Sequence, residues 1–319
     1  KKKVSMENMD SKWVDAYIPQ VVDDLVLNPT SKDKLKRLLE SGKRFNVSLH
    51  GRAGIGKTAT SNVISKTLDA IEYFVSCSLD GNIDNIRTNV QRFCESVSFD
   101  GRPKLVILDE IDGMSLEAQK SLRNIMDNHK DCIFILTCNY LNRVIEPLQS
   151  RCPPVSLQFS VSDIRPRVEH ILTSESVEYT EEDLNNFMEK ILPKFLPDIR
   201  TSVSVLQDCC SSGKLDTTTE IALIDGVDET CKFIISSTKE GKTPMEIREY
   251  LIKNSEKFSE DYLKLASSMF NILCRTKIGT EDLSNIADII YRVDQVIDKE
   301  IQFFVLVSYL HNLIKKSNK

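Results

Sequence analysis

The sequence predicts an α/β fold, a parallel sheet covered by helices, followed by a small helical lid and an all-helical C-terminal block. Three observations carry this expectation. Residues 12–160 alternate apolar β-type runs with segments of helical spacing, the pattern of strands joined by crossover helices. The stretch GRAGIGKT, Gly51 to Thr58, matches G-x-x-x-x-G-K-[ST] at every fixed position, with an apolar run before it and helical spacing after it. From about Val161 the strand signal fades, and apolar residues recur at intervals of three and four. The boundaries expected are 1–160 for the sheet domain, 161–218 for the lid and 219–319 for the last block.

The first strand is expected at Phe45 to Leu49, leading into the glycine-rich loop. A phosphate chain needs many donors at short range, which backbone N–H groups and the positive end of a helix supply. The candidate cradle is Gly51, Arg52, Ala53, Gly54, Ile55, Gly56, Lys57, Thr58 and Ala59. Gly54 and Gly56 permit turns and close approach that a Cβ would obstruct. Lys57 is expected to reach the β and γ phosphates of ATP, and Thr58 to offer its hydroxyl to Mg²⁺.

Further strands are expected at Tyr73–Cys77, Leu105–Leu108 and Ile133–Thr137, and at Val155–Phe159 after Pro153 and Pro154 interrupt the pattern. In KLVILDEID the acids Asp109 and Glu110 directly follow four apolar residues, hence a buried strand end. Asp109 there can hold the Mg²⁺ shell and Glu110 can orient the water that attacks the γ phosphate. Acids at strand ends also occur in ordinary turns. The next strand ends in Asn139, whose amide could sit between the γ phosphate and that water. Helical windows follow at Ser162–Leu172, Glu181–Leu192 and Ile199–Cys210, then a polar loop, Ser211–Glu220, and apolar helices such as Tyr262–Leu273 and Ile301–Leu310.

Composition excludes several classes. A net charge of -5 does not suit a chain that coats nucleic acid by bulk charge, so any DNA contact must be local or built by assembly. Nine cysteines include no C-x-x-C pair, which argues against zinc and for small apolar thiols in a reducing cytosol. The longest apolar run near the C-terminus, Phe303–Val307, is far short of a bilayer span. No charged-then-apolar leader opens KKKVSMENMD, so export is not expected and a cytoplasmic location is. His50, His129, His170 and His311 are dispersed and read as structural, and no Ser, His and Asp arrangement presents itself.

GRAGIGKT, LDEID, LTCN, LQSRC (Leu148 to Cys152) and PDIRTSVSVLQ (Pro197 to Gln207) occur in that order. The chain thereby resembles an AAA+ sliding-clamp loader ATPase subunit, of the replication factor C small-subunit kind, over about residues 12–210. The segment from Ser98 to Asp127 is most similar to loaders of T4-like bacteriophages. The resemblance implies that Arg151 of the SRC tripeptide projects into a neighbouring subunit's nucleotide site, so that hydrolysis requires assembly. It makes Arg200 the lid's sensor arginine. Tyr17 and Pro19 match the family's K-Y-R-P element, with Ile18 in place of the arginine, and place the adenine pocket there. It also implies that Asn46 holds Glu110 away from water until DNA arrives. Ile83 and Arg87, in LDGNIDNIRTNV, would contact the DNA backbone. Gln119 and Arg123, four residues apart and so on one helix face, would connect DNA to the ATP site, with Leu116, Ile125 and Met126 as apolar contacts. Other copies of the chain and a distinct loader subunit in a pentamer, a sliding clamp and primer-template DNA are the implied partners, and the last block is the implied collar. Two alternatives stay open: a helicase-loading or remodelling motor with the same ATP site, and a non-hydrolysing structural subunit that donates Arg151.

Overall fold

The structure is a computed structural model that describes residues 12–80, 84, 86–276 and 278–317. Two compact units divide between Leu215 and Asp216. In the first, five strands form one sheet: β1 (Val47–His50), β2 (Ile71–Ser76), β3 (Lys104–Asp109), β4 (Cys132–Cys138) and β5 (Pro154–Ser156), in the order β2-β3-β4-β1-β5. Every pairing is parallel.

The unbroken apolar runs of β3 and β4 follow from burial on both faces. Alternate residues serve opposite cores, because side chains of a strand point to opposite sides. Val106, Leu108, Phe134 and Leu136 pack with Leu122, Ile125 and Met126 of α3 (Leu116–Asn128). Leu105, Ile107, Ile133 and Ile135 pack with Leu35 of α1 (Pro29–Glu40) and with Val63 and Ile64 of α2 (Lys57–Thr67). Pro154 is tolerated because β5 is an edge strand, where a missing N–H costs no ladder bond.

Several expected boundaries move. Phe45 and Asn46 precede β1, Cys77 opens the short helix Cys77–Asp80, and the run Val155–Phe159 contributes only its start to β5. Leu116 is 57% exposed, against its expected packing role, since the first residue of α3 projects away from the core that its later turns build.

The helical part of this unit contains α4 (Val161–Ser174) and α5 (Ile199–Cys209). Between them the window Glu181–Leu192 is one α-helical piece, Glu181–Asn186, followed by a wider turn, Phe187–Ile191. The second unit is helical: α6 (Thr218–Lys239), α7 (Pro244–Lys253), α8 (Tyr262–Leu273), α9 (Thr280–Gln295) and α10 (Lys299–Ser317). Its core joins Cys231, Ile234, Leu251, Phe258, Leu265, Met269, Phe303 and Leu306. The polar loop is shorter than expected, because Thr218 already begins α6 after its N–H is taken up by the Asp216 carboxylate at 2.9 Å. Cys274 is exposed and the other eight cysteines are buried, with no disulfide among them. No helix among the described residues is long and apolar enough to cross a membrane.

Candidate functional site

The glycine-rich loop leaves β1 at the carboxyl end of the parallel sheet, the edge at which such folds bind ligands. Gly54 and Gly56 have φ of +74° and +96°, a region that side-chain-bearing residues rarely adopt, and Gly56 turns the chain into α2. A Cβ on Gly54 would also strike Asp198, at the start of α5. The Ile199 N–H donates to Gly54 O at 3.0 Å, so the lid helix is seated directly on the loop.

Lys57 is 8% exposed. Its ammonium donates to Gly51 O at 2.9 Å, Arg52 O at 3.0 Å and Asn139 Oδ1 at 2.6 Å. Burial lowers its pKa, and the nearby carboxylates of Asp109, Asp112 and Glu110 act against that shift. The Thr58 hydroxyl donates to both Asp109 oxygens, at 3.1 and 3.2 Å. Sequence positions 57, 58, 109 and 139 are thus brought together by three neighbouring strand ends, β1, β3 and β4. Thr58 and Asp109 present hard oxygen ligands side by side, the donor type Mg²⁺ takes.

Two residues not singled out in the sequence complete this arrangement. Thr137 donates to Asp109 Oδ1 at 2.6 Å and accepts the Glu110 N–H at 3.0 Å, fixing the acid pair from β4. Asp112 accepts the N–H groups of Asn139 (3.3 and 3.2 Å) and Tyr140 (3.1 Å), locking the chain that carries the Asn139 amide. Both have a signal in hindsight: Thr137 is the hydroxyl in an otherwise apolar strand, and Asp112 is the third acid of DEID. Glu110 itself is exposed, in a left-handed backbone conformation with φ +56°.

A cleft of about 700 Å³ runs from this centre toward the N-terminal segment. Gly54 to Thr60, Asp109, Glu110, Asn139 and Arg200 line it, as do Tyr17, Ile18 and Pro19. Tyr17 donates its hydroxyl to Glu175 Oε1 at 2.6 Å, and burial and that bond push its pKa up to about 12. Arg167 of α4 also lines the cleft and donates to Tyr17 O. Its guanidinium carbon lies 5.9 Å from the Tyr17 ring centre. A cation therefore stands beside the K-Y-R-P-like element from elsewhere in the chain, although Ile18 replaces the local arginine.

The Asn46 expectation is corrected. Its Oδ1 accepts the Phe134 N–H at 2.9 Å, where Phe134 is level with Val106, four residues before Glu110. Four residues of strand span about 13 Å and two strand spacings about 10 Å, so Asn46 stands far from the acid pair. Gln119 and Arg123 also separate. Gln119 is 1% exposed and joins three main-chain groups: Met114 O (3.3 Å), Arg143 O (3.1 Å) and Ile145 N (2.9 Å). Arg123 is exposed, with Nε 3.8 Å from Asp127 Oδ2. Arg87 is exposed and its Nε donates to Ser121 Oγ of α3 at 3.3 Å, whereas Ile83 lies outside the described residues. Arg151 does not reach the cleft of its own chain. It closes the short helix Glu146–Arg151 and pairs with Asp127 at 2.7 Å.

Comparison with known proteins agrees with this geometry. Residues 47–158 match the family model described as ATPase family associated with various cellular activities (AAA). The chain is 33% identical over 221 residues to the replication factor C small subunit of Methanothermobacter thermautotrophicus, covering 67% of each chain. It is 28% identical over 314 residues to that of Methanosphaera stadtmanae, covering 95% of this chain and 90% of the relative. Replication factor C subunit 4 of Saccharomyces cerevisiae is 33% identical over 204 residues, 61% of this chain and 62% of that one. Among solved structures, the Thermotoga maritima RuvB Holliday junction branch migration motor shares the fold at a TM-score of 0.56 and 14% identity, covering 89% of this chain and 90% of that one.

Proposed function

This chain belongs to the replication factor C small-subunit family and is an AAA+ ATPase subunit of a clamp loader in DNA replication; on that premise we propose how its residues carry out the work. ATP occupies the cleft, with its phosphates in the Gly51–Ala59 cradle and its base beside Tyr17, Pro19 and Arg167. Thr58 and Asp109 would hold Mg²⁺, which would supply neutralising positive charge to the triphosphate. Lys57 exchanges its internal acceptors for phosphate oxygens. Asn139, released from that ammonium, and Glu110, at the open mouth of the cleft, orient the attacking water. Arg200 on the lid reads the γ phosphate, which makes lid position depend on the nucleotide.

The observation that carries this reading is the convergence of Lys57, Thr58, Asp109 and Asn139 within hydrogen-bond distance. Arg151 acts in trans, in the site of the next subunit of a pentamer. There its guanidinium neutralises charge on the transferred phosphoryl group, an effect of about 10³ to 10⁵ in rate. ATP binding opens the sliding clamp and admits primer-template DNA, whose backbone Arg87 contacts, and hydrolysis releases the clamp. The test is ATPase of the assembled loader with clamp and primed DNA. Lys57→Ala should abolish nucleotide binding, and Arg151→Ala should keep binding yet lose stimulated turnover. Full turnover by Arg151→Ala would end the shared-site mechanism, and full turnover without clamp or DNA would favour a different AAA+ motor.

A further inference from the structure

We propose that Asp127 is a positioning residue for the trans-acting Arg151, splinting its guanidinium so that its terminal nitrogens are presented to the neighbouring subunit. This rests on the reading of Arg151 as the arginine supplied to the next site. Arg151 Nε donates to Asp127 Oδ1 at 2.7 Å and Nη2 to Asp127 Oδ2 at 2.9 Å, a bidentate fork, while Nη1 donates to Pro147 O at 2.7 Å. A guanidinium has five N–H donors. Three are used within the protomer, which leaves one on each terminal nitrogen. Those two remaining donors suit a phosphoryl oxygen, and they are held in place before any nucleotide arrives.

The supports on both sides are fixed. Arg151 lies between Leu148 and Cys152, both wholly buried in the core that also contains Ile125 and Met126, the neighbours of Asp127 on α3. An arginine on a solvated helix end would otherwise sample many rotamers and would have to be ordered at each catalytic event. Arg123, with Nε 3.8 Å from the same carboxylate, is too distant for a hydrogen bond and adds charge rather than geometry. Asp127 does not line its own chain's cleft, and its hydrogen bonds go to Arg151, so its effect on that site's chemistry is exerted through Arg151.

The experiment uses the assembled loader with clamp and primed DNA. Asp127→Ala should lower stimulated kcat by roughly 10- to 100-fold, the scale of a misplaced catalytic group, with the KM for ATP unchanged. Asp127→Glu should recover most of the loss, and Asp127→Ala added to Arg151→Ala should lower turnover no further. If Asp127→Ala prevents assembly, Asp127→Asn, of equal size, carries the same expectation with a smaller loss. Turnover by these variants at or above the wild-type rate would overturn the splint, as would losses that multiply with those of Arg151→Ala. Were Arg151→Ala itself fully active, the trans reading would fall first and the splint with it. An inactive Arg151→Ala beside a fully active Asp127→Ala would overturn the splint alone.

Discussion

Asp198 and Gly54 meet so closely that no side chain fits at the glycine: a Cβ there would lie 2.1 Å from Asp198 Oδ1 and 2.9 Å from Asp198 Cα. The phosphate loop and the first residue of the lid helix are therefore in register, held by the Ile199 N–H on Gly54 O. Gly54→Ala combines a strained positive φ with this collision, and the lid must shift to relieve it. The expected result is a fall in nucleotide affinity of more than about tenfold, because the lid no longer closes on the loop. Equilibrium binding of a fluorescent ATP analogue checks it, and wild-type affinity would refute the coupling.

Gln119 is expected to be structural before it is anything else. Gln119→Leu keeps the volume but strands the Ile145 N–H and the carbonyls of Met114 and Arg143. The cost expected is about 1–3 kcal/mol for buried groups left unpaired. Denaturant unfolding measures the loss, and faster amide exchange at Ile145 locates it.

The sheet centre offers a cleaner stability measurement. Phe134 is 1% exposed at the middle of β4, and Phe134→Ala should destabilise the first unit by about 3–5 kcal/mol. An unchanged unfolding midpoint would mean that this strand is not the core it is described as.

Tyr17 should titrate near 12 rather than near its ordinary 10.0, through burial first and its hydrogen bond to Glu175 second. Because the folded value lies above the unfolded one, the protonated phenol favours the folded state. Its contribution is complete below about 10 and is lost as pH rises from there through about 12. A difference absorbance titration against Tyr17→Phe isolates this group, and Glu175→Gln should lower its midpoint. A midpoint at 10 would show that the Tyr17–Glu175 bond does not hold in solution.

Much of this was legible in the chain. Apolar runs such as Leu105–Leu108 announce buried parallel strands, and the loop motif fixes where Lys57 and Thr58 sit because glycine spacing constrains backbone geometry directly. Depth along a strand was harder to read. Asn46 looked adjacent to the acids by family likeness, but the parallel register places it level with Phe134, at the wrong end of the sheet. Arg167 was invisible for another reason: it meets Tyr17 across 150 residues, and no local pattern encodes such a contact. Spacing on a helix also did not decide burial, since Gln119 and Arg123 share a face yet one lies in the core and the other in solvent.

The thiol distribution has a practical consequence. With eight sulfur atoms shielded and Cys274 open to solvent, a maleimide dye applied to the native protein should attach at one position without prior mutagenesis. That position lies in the C-terminal helical unit, outside the nucleotide cleft. A reporter placed there could follow subunit assembly by fluorescence while leaving the catalytic machinery unmodified.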